Sequence, residues 1–182
     1  VKISKVCNDL RLLSSGPRCG LAEIRLPARQ PGSSIMPGKV NPVIPEVVNQ
    51  VAFQVIGNDL TVTLAAEAGQ LELNVMEPVV VFNLFQSIDM LTRAFETLRT
   101  RCLEGIEVDA ERCRSMVYNS IGIVTALLPE VGYEPATRIA KEALETGRSV
   151  ADIAVEQGHL TRERLAEIMD PVAMTRPARF AE

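Results

Sequence analysis

The sequence has very few aromatic residues and few residues that bind metals. It contains no tryptophan, and aromatic residues make up 4% of the chain. The core must therefore be built from Val, Leu, Ile, Ala and Met, a set that suits helices packed on helices better than aromatic-rich strands. The four cysteines show no Cys-x-x-Cys spacing, and the only histidine, His159, has no partner at a metal-ligand offset. We predict an all-α fold with reduced, mostly structural thiols and no metal site.

Basic patches and long apolar runs are also lacking. The formal net charge is −4, and no basic stripe is present that could neutralise phosphates, so nucleic acid is not an expected partner. The longest purely apolar run, residues 79–82, is far too short to cross a membrane, and the N-terminal residues do not form a signal peptide. These features predict a cytoplasmic protein with no membrane partner. The chain begins with Val1 inside a periodic apolar pattern, so we expect it to be part of a longer protein.

Apolar residues at steps of three and four predict three helices in residues 1–105. The first helix ends before Ser14, the second begins near Ile44, and the third runs from about residue 78 to 103. The second helix has the seam Ile44, Val48, Val51, Val55, Asn58, Val62 and Ala65. The third has the seam Val81, Leu84, Ile88, Leu91, Phe95, Leu98 and Cys102. Long helices with such seams pack into a bundle, which needs a fourth helix from upstream residues or from sister subunits.

The pattern changes to short helices after residue 105. We expect them at about 110–120, 135–146, 150–157 and 162–169. The sequence therefore predicts the C-terminal part of a helical bundle in residues 1–105 and a small helical C-terminal domain in residues 106–182.

The loop at residues 29–45, rich in Pro and Gly, carries the candidate chemistry. Gly32 and the serines after it, Ser33 and Ser34, can converge their N–H groups on an anion. Lys39 and Asn41 follow, next to the N-terminus of a long helix, where charge and helix dipole together suit a carboxylate. Glu46, in the first turn of that helix, can orient a basic or histidine side chain.

The same residues have a simpler interpretation. Ser, Gly, Pro and Asn are common in turns, Lys39 can be solvated, and Glu46 can merely complement the helix terminus. On residue types alone, the loop can be a connection without chemistry.

Residues 32–42 resemble a known signature at every fixed position. They read Gly-Ser-Ser-Ile-Met-Pro-Gly-Lys-Val-Asn-Pro, and the pattern Gly-Ser-Ser-x-Met-Pro-x-Lys-x-Asn-Pro is that of the fumarase/aspartase superfamily. Residues 10–17 resemble the segment that leads into this loop in the same superfamily. The helices and the small C-terminal domain also follow in the family's order, so the resemblance extends over essentially the whole chain.

Within the superfamily, residues 65–78, 118–125 and 170–177 look like aspartases (aspartate ammonia-lyases) rather than fumarases. One departure is Leu128, where many relatives have Asn between Leu and Pro. Two alternatives remain open: a class II fumarase, and a non-catalytic helical assembly protein like the lyases recruited as structural lens proteins.

The resemblance implies a cofactor-free, reversible anti elimination of ammonia from L-aspartate, a dicarboxylate, to give fumarate. Ser33 would be the general base that removes the proton next to a carboxylate. The substrate-binding groups would be donors around Ser34, Ile35 and Met36, together with Lys39 and Asn41. They would stabilise the enediolate intermediate. Gly32 and Gly38 are expected to be hinges, and Glu46 would lie behind the site, paired in relatives to a histidine.

Relatives are homotetramers whose sites are shared between subunits, and the threonine and histidine segments that complete each site lie upstream of Val1. The resemblance therefore implies that this chain cannot complete a site alone. The isolated chain is expected to be inactive or poorly folded. His159, in the small domain, is expected to be a surface residue without a role in catalysis.

Overall fold

The structure, a computed structural model, describes residues 1–32 and 35–175 and is built almost entirely of helices. The all-α prediction is confirmed. The chain divides into two compact units, Val1–Ala110 and Glu111–Glu182. Within the described ranges, none of the helices combines the length and the hydropathy that a membrane span requires.

The first unit contains the three predicted helices. They are α1 (Lys2–Leu13), α2 (Val43–Glu67) and α3 (Glu77–Arg101), so the predicted positions are confirmed. Two short strands, β1 (Ile24–Arg25) and β2 (Glu107–Val108), pair antiparallel and were not predicted. Because β2 pairs with β1, residues 106–110 belong to the first unit rather than to the second. The division into domains at 1–105 and 106–182 otherwise stays a prediction.

The second unit is a cluster of short helices. They are α4 (Ala110–Tyr118), α5 (Val124–Val131), α6 (Tyr133–Thr146), α7 (Val150–Glu156), α8 (Arg162–Ile168) and α9 (Pro171–Met174). The four predicted short helices are confirmed. Side chains cap two of them, since Ser149 Oγ accepts the Ala151 N–H at 3.1 Å and Thr161 Oγ1 accepts the Arg164 N–H at 3.2 Å. Helix α5 was not predicted because it contains Pro129. The full burial of Leu127 in the unit's core explains its stability.

The buried face of α2 is the predicted seam. Val48, Asn58 and Ala65 are buried, and the other members of the seam are half-buried. The predicted seam of α3 behaves differently, because Ile88 is 59% exposed and Phe95 is 51% exposed. Periodicity predicted that these residues are buried, but it did not identify the surface that covers them.

Helix α3 packs against α2 through Leu98 of the predicted seam and through a face of smaller and polar residues. Its buried residues are Asn83, Ala94 and Leu98. At the centre of the pair, Asn58 Nδ2 donates to Gln86 Oε1 at 2.9 Å and to Ser87 Oγ at 3.0 Å. Every hydrogen-bonding group of the Asn58 amide is used, because Gln54 Nε2 also donates to Asn58 Oδ1 at 2.9 Å. The polar member of the α2 seam thus sets the register of α2 against α3.

The connection between α2 and α3 is held by one side chain. Asn74 Nδ2 donates to the Ala65 carbonyl at 2.9 Å, near the C-terminus of α2, and Asn74 Oδ1 accepts the Met76 N–H at 2.8 Å, just before α3. Helix ends leave such groups unpaired unless a cap supplies partners. Asn74 therefore supports the reversal that makes α2 and α3 antiparallel.

Replacing Asn58 by Ala in the full-length protein should lower its stability. Gln86 and Ser87 would lose their buried partner, and the free energy of unfolding should fall by about 2 kcal/mol. Urea unfolding followed by circular dichroism, at one fixed protein concentration, measures this change. Thr63→Ala is the control, because Thr63 is an exposed residue of the same helix. Equal midpoints for the two variants would contradict a structural role for the Asn58 amide.

Candidate active site

The chain leaves α1 through a tight loop that centres on Ser15. The Ser15 hydroxyl donates to the Leu12 carbonyl at 2.6 Å and accepts the Leu21 N–H at 3.2 Å. The Ser15 carbonyl accepts the Ala22 N–H at 2.9 Å. A Cβ at Gly20 would lie 2.2 Å from the Ser15 carbonyl oxygen, so only glycine fits there. This closed loop directs the chain into β1 and toward the predicted catalytic loop.

The predicted catalytic loop is closed at its base by two hydrogen bonds, which we call the neck. The Gly32 N–H donates to the Lys39 carbonyl at 2.7 Å, and Asn41 Nδ2 donates to the Gly32 carbonyl at 2.9 Å. Inside the neck, the Lys39 N–H donates to the Met36 carbonyl at 3.2 Å and forms a turn. The neck therefore brings Gly32, Lys39 and Asn41 together.

The two glycines of this loop are there for different reasons. A Cβ at Gly32 would lie 2.4 Å from the Lys39 carbonyl oxygen, so Gly32 is needed for the close approach of two backbone segments. Gly38 has φ +78° with open space around it, so it is needed for its left-handed conformation. The expectation that both are hinges stays a prediction, and in this structure both backbone polar groups of Gly32 are held in the neck.

The remaining predicted site residues lie as follows. Ser33 and Ser34 are outside the described residues. Ile35 and Met36 are exposed, at 86% and 51%. Lys39 is also exposed and precedes the N-terminus of α2 by a few residues, while Asn41 is half-buried. Lys39 and Asn41 thus lie close in sequence to the N-terminus of α2, where the helix dipole also favours an anion.

Glu46 lies beside a basic side chain that the sequence analysis did not identify. Glu46 Oε1 is 4.0 Å from Arg11 Nη2, in the last turn of α1. The expectation that Glu46 orients a basic or histidine side chain stays a prediction, and its basic neighbour in this chain is a guanidinium. Both side chains are about two-fifths exposed, so the pair adds little stability. The position of Arg11, one turn before the Ser15 loop, was the available signal.

A pair of amides, one buried and one exposed, joins α1 to α2 one turn after Glu46. Asn49 is 3% exposed, and its Nδ2 donates to Asn8 Oδ1 at 2.7 Å. Its Oδ1 is buried without a hydrogen-bond partner among the residues that the structure describes. Sequence analysis missed Asn49, because the residue lies outside both the seam and the signature.

Two buried cysteines help to anchor α1 beneath the loop. Cys7 of α1 and Cys102, at the C-terminus of α3, are both fully buried in one cluster with Val48 and Leu98. Burial raises the pKa of the Cys7 thiol, and the charge of Cys102 raises it further. Burial also raises the pKa of the Cys102 thiol, although Arg29 acts in the opposite direction. These thiols are held neutral, which fits the predicted structural role.

The small unit contributes none of the predicted catalytic groups. His159 is half-buried rather than fully exposed. The backbone N–H of His159, which follows α7, donates to the carbonyl of Ala154 within that helix at 3.1 Å.

Sequence comparison relates the chain to lyases. A family profile described as "Lyase" matches residues 1–57, and one described as "Fumarase C C-terminus" matches residues 123–176. The aspartate ammonia-lyase of Helicobacter pylori (strain ATCC 700392 / 26695) is 64% identical over 99% of this chain and 38% of the relative. The aspartate ammonia-lyase of Bacillus subtilis (strain 168) is 59% identical over 97% of this chain and 37% of the relative. The chain thus spans 37–38% of the length of these curated relatives.

Solved structures agree with this relation. Fumarate lyase:delta crystallin from Brucella melitensis, bound to cobalt, matches with a TM-score of 0.90 at 59% identity, over 97% of this chain and 38% of that chain. Recombinant class II fumarase from Schistosoma mansoni matches with a TM-score of 0.88 at 38% identity, over 97% of this chain and 37% of that chain. The arrangement of helices described above is therefore shared with both.

The buried thiols should react slowly with alkylating reagents. The thiolate is the reactive species, and the raised pKa values of Cys7 and Cys102 lower its fraction near neutral pH. Cys19 is exposed and provides the comparison within the same molecule. Brief treatment of the folded full-length protein with iodoacetamide at pH 8, followed by peptide mass spectrometry, should show modification of Cys19 well before Cys7 or Cys102. Equal rates at the three sites would contradict the burial of the α1 anchor.

Proposed function

We propose that this chain, which belongs to the fumarase/aspartase superfamily, is the C-terminal part of an aspartate ammonia-lyase. The full-length protein would eliminate ammonia reversibly from L-aspartate to give fumarate. The observation that carries the proposal is the neck, which fixes Lys39 beside Gly32, the residue before Ser33, close to the N-terminus of α2. The aspartate ammonia-lyases to which the chain is similar support this choice of substrate.

In the proposed reaction, Ser33 is the general base. Its alkoxide takes the proton from the carbon next to one carboxylate of the substrate, and the electron pair of that C–H bond passes into the carboxylate to form an enediolate. The carbon–nitrogen bond then breaks on the opposite face, ammonia leaves, and fumarate remains. A serine hydroxyl is a weak base, so its alkoxide must be favoured by nearby donors and positive charge. No cofactor enters this sequence.

Charge stabilisation is the main task of the groups around the base. The enediolate concentrates two negative charges on one end of the substrate, and Lys39 is the cation of the signature at residues 32–42. The N-terminus of α2 adds its dipole at the same place. Backbone donors at Ser34, Ile35 and Met36, together with the Asn41 amide, complete the proposed anion site. Glu46, beside Arg11, stands behind it in the first turn of α2.

The apolar surface of the long helices supports a homotetramer with shared active sites. On α2, Phe53 is 58% exposed and Leu60 is 61% exposed; on α3, Phe82 is 63% exposed and Phe85 is 68% exposed. An exposed apolar surface of this kind marks an interaction site. Upstream residues and the helices of sister subunits would cover these faces and supply the missing site residues. Cytoplasmic location is part of the same proposal and rests on composition.

A class II fumarase is the second candidate. The solved fumarase shares the fold of this chain, and fumarate is common to both reactions. Aspartase is preferred because the aspartate ammonia-lyases match the chain at much higher identity than the fumarase does. An assay of the full-length protein with L-aspartate and, separately, with L-malate distinguishes the two activities. Fumarate formation is followed by its absorbance at 240 nm. Turnover of L-malate alone would replace the aspartase assignment.

Removing the charge of Lys39 should impair binding and chemistry together. For full-length Lys39→Ala, kcat/KM with L-aspartate should fall about 100-fold or more, because a donor to the developing charge is worth about 3 kcal/mol.

Ser33→Ala should lower kcat with little change in the affinity for fumarate. Lys141→Ala is the control, since Lys141 is an exposed lysine of α6. Unchanged kcat in Ser33→Ala would remove this residue from the role of base.

A charge placed on the exposed face of α3 should break the assembly. In the full-length protein, Phe85→Asp would bury a carboxylate in the proposed interface, so the tetramer should dissociate and lose activity. Light scattering coupled to size-exclusion chromatography measures the mass. Leu144→Asp is the matched control, because Leu144 is 71% exposed on α6, outside the long helices. A Phe85→Asp variant that stays tetrameric would contradict this use of the α3 face.

A further inference from the structure

We propose that Asn41 is a positioning residue whose amide holds the neck of the catalytic loop closed before substrate arrives. The proposal rests on the proposed function for its effect on catalysis, but the geometry stands apart from it. Asn41 Nδ2 donates to the Gly32 carbonyl at 2.9 Å. In this state the amide acts on the backbone of the loop, beside any contact it makes with a substrate.

The neck joins the residue before the proposed base to the residue that carries the cation. Gly32 directly precedes Ser33, and the Lys39 carbonyl accepts the Gly32 N–H at 2.7 Å. Gly32 therefore has both of its backbone polar groups engaged, one with Lys39 and one with Asn41. The residue before the proposed base and the residue that carries the cation are thus in direct backbone contact, although they are seven positions apart in sequence.

Asn41 is itself anchored to a long helix. The Val43 N–H donates to the Asn41 carbonyl at 2.9 Å, and the Glu46 N–H donates to the Pro42 carbonyl at 3.1 Å. Pro42 also restricts the backbone at the start of α2. The Asn41 amide thus connects Gly32 to α2, one of the two 25-residue helices of the first unit. Preorganisation of this kind lowers the cost of assembling the anion site during the reaction.

The close approach at Gly32 provides a second way to open the same neck. A Cβ at Gly32 would lie 2.4 Å from the Lys39 carbonyl oxygen and 2.6 Å from its carbon, so Gly32→Ala must push the two segments apart. A Cβ at Gly38 would meet nothing within 4 Å, so Gly38→Ala strains the backbone but leaves the neck intact. The two substitutions form a matched pair within one loop.

Full-length Asn41→Ala and Asn41→Asp test the proposal, first without substrate. Loss of one hydrogen bond should make hydrogen exchange at the amides of residues 32 and 39 about fivefold faster. Tryptic cleavage after Lys39 should accelerate by a similar factor. With L-aspartate as substrate, kcat should fall in the same variants in which hydrogen exchange at residues 32 and 39 becomes faster. KM should change by less than about twofold. Gln157→Ala is the control, because Gln157 carries an exposed amide in the second unit.

Gly32→Ala should reproduce the faster exchange and cleavage, and Gly38→Ala should not. Native exchange rates in both Asn41 variants, combined with a raised KM, would overturn the proposal and make Asn41 a substrate ligand alone. Equal effects of Gly32→Ala and Gly38→Ala would also overturn it. If the wild-type enzyme converts no L-aspartate, the proposed function fails, while the exchange and cleavage rates still decide the role of Asn41.

Discussion

The packing of α1 against α2 is the constraint on which the candidate site depends, because the connection that contains the functional loop leaves the end of α1 and leads into the start of α2. The buried cluster of Cys7, Val48, Leu98 and Cys102 holds these helices together with the end of α3. The Asn8–Asn49 amide pair adds a directional contact between α1 and α2. A burial-driven anchor of this kind fixes both ends of the loop.

Within that frame, the loop places a cation and an amide at a helix terminus by means of backbone contacts. Gly32 allows two segments to approach so closely that the backbone at Lys39 has little freedom, while the Lys39 side chain stays exposed to a ligand. Glu46, in the first turn of α2, and Arg11, in the last turn of α1, form a half-exposed ion pair. Stabilisation of an anionic intermediate requires a positive charge that the ligand can reach and a backbone that holds this charge in place.

The long helices of the first unit satisfy only part of their burial within this chain. Helix α3 uses its smaller and polar face, centred on Asn83 and Ala94, to contact α2, and it leaves Phe82 and Phe85 exposed. The Asn58 hydrogen bonds specify how α2 and α3 pair. The larger apolar residues are then available for the assembly that we propose. Polar contacts specify the hairpin, and apolar area would drive the association.

Local patterns were sufficient to predict the three long helices, four of the short helices and the signature loop. Steps of three and four residues located α1, α2 and α3, because each helix repeats its apolar face every turn. The start of α8 near residue 162 was also predicted, and in the structure Thr161 caps this helix within one turn. Contacts between distant residues were not predictable in this way. Which surfaces meet in space decides the exposure of Ile88 and Phe95 on α3, the Arg11–Glu46 pair, the β1–β2 pairing and the burial of Leu127 in α5. The steric need for Gly32 likewise arises from a carbonyl seven residues away, which no local periodicity reports.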